Sequence, residues 1–332
     1  MDKMILIERI HDHFLELVAN QKILSPTEKL VLMRYLFEYD STSKSTGLLE
    51  VAGRYIDEIH HELMTSSTGD LSDREYNVPL IGLEFLNVFQ KGLIIVDLNE
   101  LLAPIDRIVM QASCGLNNLQ LNDSLIHSAF YLVKRIKSLD GSQEWEQLMA
   151  LENLLGLIEH LKKLNRNRNQ RFYSQLSDYL NILMQTTHIV ENRSYINQLI
   201  SSAIFRPKLP GRKANSSTQF DYLALMDIFI EAAIALSLDE LKEQLCLDFM
   251  YYLTQEHLGH VKVNSKNIAK AIEINSVLTR IQVKLNCPHL SYTEKLKKLV
   301  YQQDVLNPAN ATIHDNILLY DFYKTHLMQT YS

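Results

Sequence analysis

Asp227 and Glu231 stand four residues apart in a run from Tyr222 to Leu236 that is otherwise almost wholly apolar. On a helix, residues at i and i+4 share a face. Paired carboxylates do acid–base work when burial separates their pKa values, so these two are the catalytic candidates, for a hydrolase or lyase. More often such a pair is only a polar patch. Cysteine and histidine suggest zinc: Cys287-Pro-His289 is a candidate ligand pair, which Cys114 or Cys246 could join to make three protein ligands with one open position. The spacing matches no ligand signature, and free cysteine is among the most buried residue types. The expectation is therefore no metal and no other cofactor, with Cys114, Cys287 and His289 the residues to watch.

Other chemistry lacks local support. His257-Leu-Gly-His260 would need further ligands to hold a metal, and His60-His61-Glu62 lacks the HExxH spacing that puts two imidazoles on one helical face. The chain has no GxSxG, CxxC, GxGxxG or GxxxxGK[ST] motif. A basic loop is more informative: Arg206, Lys208, Arg212 and Lys213 fall within eight residues, and no acid occurs between Glu191 and Asp221. On a chain of net charge -6 this is a local positive field, suited to an acidic peptide segment or a phosphate group. A second basic cluster, Arg166, Arg168 and Arg171, lies in a helix connection. A pI near 6.1 disfavours nucleic acid as a partner.

The elements that must position these residues are helices. Gly 10 and Pro 7 in 332 residues are less than half the ordinary usage of about 12%, and no proline occurs between Pro104 and Pro207. A sheet of many short strands needs far more turn residues. Apolar residues recur at helical spacing, as in Leu148, Leu151, Leu154, Leu155, Ile158 and Leu161, which are expected to form one buried stripe. Ser25-Pro-Thr-Glu28 and Ser291-Tyr-Thr-Glu294 are helix-start signals. The spacing predicts helices over 3–20, 26–39, 47–65, 79–90, 98–112, 122–138, 143–164, 170–186, 192–204, 219–236, 238–257, 265–285, 292–303 and 312–329, with long loops only at 66–78 and 206–218. The helix carrying Asp227 and Glu231 is apolar nearly all round, so it is expected at the centre of others, with its acids at a mouth or in a polar cluster.

At this length a fold buries a core without staples, and 1–332 reads as a single helical domain, with 1–66 a candidate N-terminal helical subdomain. No run approaches the ~18 apolar residues of a membrane span, and the charged start is not a secretion signal. Three widely separated cysteines suit a reducing cytoplasm. The expectation is a cytoplasmic protein with no membrane partner.

The stretch VPLIGLEFLNVFQKGLIIVDLNELLAPID over 78–106 has a distinctive order: a helix with an inner Gly82 ends at Lys91-Gly92, an apolar run follows, and Asp97 opens a second helix that ends in Ile105-Asp106. It resembles the first-half repeat of lanthionine synthetase C-like proteins, and the segments around 122–136 and 222–240 are loosely similar to later inner helices. The resemblance implies an all-α fold, an α/α toroid, complete or partial, of paired antiparallel helices. In the family's catalytic forms zinc activates a cysteine thiol of a precursor peptide, through ligands in Trp-Cys-x-Gly and Cys-His-Gly motifs. Neither motif occurs here: the single Trp145 precedes Glu146, and no Cys directly precedes a His.

The expected function is thus a non-catalytic lanthionine-synthetase-C-like accessory protein, binding a precursor peptide or a modifying enzyme in ribosomal peptide maturation. Arg206, Lys208, Arg212 and Lys213 are its expected contact with an acidic leader. Alternatives of other classes are a helical scaffold or adaptor built as a solenoid, and the carboxylate hydrolase or lyase.

Overall fold

The structure, a computed structural model, describes residues 3–19, 24, 26–43, 46–65, 78–114, 123–139, 143–164, 172–204, 216–254, 268–285 and 321. Among these residues the secondary structure is helix throughout: α1 (Lys3–Ala19), α2 (Pro26–Ser43), α3 (Thr46–Thr65), α4 (Val78–Gln90), α5 (Leu98–Cys114), α6 (Asp123–Ser138), α7 (Glu144–Leu164), α8 (Phe172–Thr186), α9 (Ser194–Ala203), α10 (Ser216–Ala235), α11 (Asp239–Thr254) and α12 (Ile268–Leu285). The helices expected at 292–303 and 312–329 lie outside the described residues, apart from Asp321, which is helical. No helix is long and apolar enough to cross a membrane, among the described residues.

The chain forms two compact units, one of Leu17–Asn167 with Gln185–Glu191 and the other of Met1–Glu16, Arg168–Met184 and Asn192–Ser332. In the unit holding α2 to α7, helices pair as α2/α3, α4/α5 and α6/α7, and each pair also packs on the next. Contacts of α4 with α2 and α6, and of α5 with α3 and α7, define two rows. The first row is the more deeply buried. In α4, Val78, Ile81, Phe85, Leu86 and Val88 are all covered, each worth about 1.5–3 kcal/mol relative to exposure. In the second row a single stripe is covered. On α7 it consists of Ala150, Leu154, Leu157, Ile158 and Leu161, whereas Leu148 is exposed and Leu151 and Leu155 are half-buried. The packing flank is thus rotated from the expected leucine stripe, because the contact with α6 and α5 is narrower than the arc the leucines span.

Local chemistry sets the α4–α5 corner. Gly92 takes φ 67, where a side chain would be strained. Its N–H donates to the Phe89 carbonyl at 2.8 Å and the Leu93 N–H to the Val88 carbonyl at 3.1 Å, a Schellman closure of α4. Asp97 Oδ1 then accepts from the N–H groups of Asn99 (2.9 Å) and Glu100 (3.2 Å), capping α5. Within the pair of hairpins, Gly82 leaves room for the ring of Tyr131 on α6. The Tyr131 hydroxyl donates to Asp106 Oδ1 at 2.6 Å, and Arg135 donates from Nε to Asp106 Oδ2 at 3.0 Å and from Nη2 to Asn99 Oδ1 at 2.9 Å. Three residues of the 78–106 pattern, Gly82, Asn99 and Asp106, thus seat two residues of α6.

In the other unit α10 packs on α11 and α12. From Tyr222 to Ala233 it is covered on nearly every side, with Leu223, Leu225, Met226, Phe229 and Ile230 fully buried. The apolar circumference read in the sequence is a buried one. A second Schellman closure ends α10: Ser237 N–H donates to the Ile234 carbonyl (3.2 Å) and Leu238 N–H to Ala233 (2.8 Å), with Ser237 itself at φ 55.

Candidate functional site

On α10, Asp227 and Glu231 point along one flank, as i,i+4 spacing requires, and that flank meets α12. Lys284 Nζ lies 2.8 Å from Asp227 Oδ1 and 2.6 Å from Glu231 Oε2, so a single ammonium bridges both acids, and it also reaches the Asp227 carbonyl at 3.4 Å. Arg280, one turn earlier on α12, donates from Nε to Asp227 Oδ2 at 2.8 Å and from Nη1 to Ser276 Oγ at 3.1 Å. Asp227 is buried, with 10% of its side chain exposed, whereas those of Glu231 and Arg280 are half exposed at 48% and 53%. A buried carboxylate is tolerable where charged partners satisfy it. Here both its oxygens are engaged.

This cluster forms one wall of a cleft of about 530 Å3, half open to solvent. Further lining comes from α8, whose Ser174, Ser177, Asp178 and Asn181 recur at i, i+3, i+4 and i+7 and so share one polar face. Phe220 and Asp221, near the start of α10, complete the lining. Four carboxylates against two cations leave the lining net negative, with hydroxyl and amide groups between them.

No protein-family model, curated protein or solved structure matches the chain. The reading of this site therefore rests on its own geometry.

The structure brings Asp227 and Glu231 together as the sequence suggested and supplies partners that the sequence reading missed. Arg280 and Lys284 carry the same i,i+4 spacing as the two acids with opposite charge, a complementarity visible in the sequence once α10 and α12 are known to touch. The α8 face was likewise readable as a polar stripe. Nothing local marked either one as facing Asp227. Of the other sequence candidates, Cys114 is the last residue of α5, and Cys246 is a partly exposed free thiol on α11. Cys287, His289, Arg206, Lys208, Arg212 and Lys213 lie outside the described residues, as do His257 and His260. Among the described residues no three His, Cys, Asp or Glu side chains converge as a metal-ligand group.

Proposed function

We propose that the chain is a non-catalytic accessory protein, similar to lanthionine synthetase C-like proteins, which binds a precursor peptide or a modifying enzyme in ribosomal peptide maturation. In this proposal its hairpins close, wholly or in part, into an α/α toroid. The buried row α2, α4, α6 beside the one-sided row α3, α5, α7 supports that arrangement, as does the α4–α5 corner, where Gly82, Gly92 and Asp97 each do work specific to their residue type.

The observation that carries a binding role over a catalytic one is the bridge made by Lys284. A general base must lie within hydrogen-bond reach of the proton it takes, and both oxygens of Asp227 already accept from Lys284 and Arg280. Glu231 shares the same ammonium. Such a cleft offers fixed charges, net negative, and uncharged polar groups to a bound chain, which is what recognition of a peptide needs. The absence of the Trp-Cys-x-Gly and Cys-His-Gly motifs supports the same reading for thiol chemistry.

Fluorescence anisotropy against labelled peptides running from strongly acidic to strongly basic tests the proposal. Saturable binding is expected, weakened by Glu231→Gln and Arg280→Gln in the cleft, and weakened for acidic peptides by charge reversal at Arg212 and Lys213, most at low salt where screening is least. Incubation with zinc and a dehydrated, cysteine-containing peptide is expected to give no thioether, and the purified protein to carry less than one equivalent of zinc. Thioether formation, or a full equivalent of zinc lost on Cys287→Ala, would overturn the non-catalytic reading; failure to bind any peptide would remove the peptide-binding role.

A further inference from the structure

A second polar region lies on the first row of helices, in the unit that holds α2 to α7. Between α2 and α4, Arg34 Nη1 lies 3.5 Å from Glu84 Oε2, and Lys91 pairs with Glu38. Between α4 and α6, Lys134 Nζ donates to Asn87 Oδ1. On α4 and in the turn that closes it, Glu84, Asn87 and Lys91 fall at i, i+3 and i+7, with the Lys91 N–H donating to the Asn87 carbonyl at 3.2 Å, so they form one stripe. The three adjacent helices therefore share a polar face that crosses both of their contacts.

The charges on that face do not balance. Among the described residues, the pairs and neighbours on it set Arg34, Lys91, Lys134 and Lys137 against Glu38 and Glu84. Glu84 is already drawn to Arg34, and its Oε2 makes no hydrogen bond among the described residues. Lys134 is half-buried, its one hydrogen bond among the described residues goes to a neutral amide, and Lys91 and Lys137 are near enough to repel it. Burial holds its ammonium below the usual lysine range, with Glu84 opposing that and the two neighbouring lysines adding to it. For stability alone, a glutamine or methionine at this position would satisfy the packing at lower electrostatic cost. A half-buried cation short of an anion, beside the exposed Lys137 and Lys91, is what an anion-recognition point requires.

We propose that Lys134, with Lys91 and Lys137 beside it, is a docking point for the carboxylates of an acidic peptide on the shared face of α2, α4 and α6. This deepens the peptide-binding reading and rests on it: the occupant is an acidic segment because the face has a surplus of spaced cations.

The test is anisotropy of a fluorescein-labelled oligoglutamate peptide at low salt, with the full-length protein. Wild type is expected to bind saturably, Lys134→Gln to bind about tenfold more weakly, the loss of one charge-assisted contact, and Lys134→Arg to retain binding. Lys162→Gln, at a partly exposed lysine on α7 paired to Glu159, is expected to leave binding unchanged. Folding is checked by thermal melting, where Lys134→Gln is expected to match or exceed wild type. Equal affinity in Lys134→Gln overturns the proposal. So does displacement of the peptide by inorganic phosphate at concentrations where chloride of equal ionic strength has no effect, which would assign the lysines to a phosphate group. If wild type ignores oligoglutamate yet binds other peptides through the cleft, this inference alone falls; if it binds no peptide, the reading beneath it falls too.

Discussion

A methyl group added at Gly82 would lie 2.3 Å from Cε2 and 2.6 Å from Cδ2 of Tyr131, and 3.0 Å from Cγ2 of Ile105. The ring has nowhere to go, because it is fully buried and its hydroxyl is held by Asp106. Gly82→Ala is therefore expected to destabilise by about 1–3 kcal/mol through overpacking, reversing the roughly 1 kcal/mol that alanine gains over glycine in a helix interior. Urea unfolding measures it, and a stabilised variant would show that Tyr131 is not seated as described. The acid beneath that ring makes a second prediction. Burial raises the Asp106 carboxyl above the ordinary carboxylate range, further than Arg135 and the Tyr131 hydroxyl lower it. An acid raised in the fold binds its proton more tightly there than in the unfolded chain. Its contribution to stability is therefore full below the ordinary carboxylate range and is lost as pH rises through the raised value. Asp106→Asn is expected to flatten the stability-versus-pH curve in that window. Arg135→Leu, which leaves the carboxylate without its cation, is expected to steepen it and to cost about 1–3 kcal/mol at neutral pH. Parallel slopes in all three proteins would contradict the assignment.

Helix ends reveal how far local sequence carries the fold. The corner after α10 places Ser237 at φ 55, a conformation costing an ordinary L-residue roughly 1–2 kcal/mol. Ser237→Gly is expected to raise stability by up to about 1 kcal/mol, read as a higher urea midpoint at unchanged slope; no gain would mean that the serine side chain compensates the strain. The equivalent position after α4 already holds Gly92, and there the sequence predicted the corner, because Lys-Gly followed by an apolar run and Asp is a stop and a start in their usual residues. After α10 the break expected between 236 and 238 falls at the same closure, made by Leu-Ser-Leu without a glycine. Other ends slipped. The expected stop of α2 at 39 becomes Ser43 because the polar run 40–43 holds neither Gly nor Pro to end a helix, and α10 begins at Ser216, inside the expected loop. Periodicity made the apolar face of each helix legible. It did not say which partner that face meets, and so Asp227 and Glu231 were read as a pair while Arg280 and Lys284, 53 residues further on, were not.

For the whole molecule, the proposed toroid and the alternative scaffold share their local parts. Paired helices in two rows occur in a ring and in an open solenoid alike, and the α2–α7 array by itself is compatible with both. The difference lies in the ends. Neighbouring helices pack at about 10 Å, so a closed inner ring of α2, α4, α6, α8, α10 and α12 would bring α12 beside α2, one spacing away, whereas an open row would separate them by about five spacings, roughly 50 Å. Spin labels at Glu28 on α2 and Val283 on α12, both exposed, read this distance directly by double electron–electron resonance, with the native cysteines replaced. A closed toroid predicts a narrow distribution no longer than about 25 Å once label length is added to one helix spacing. A distribution centred near the longer distance would mean an open array.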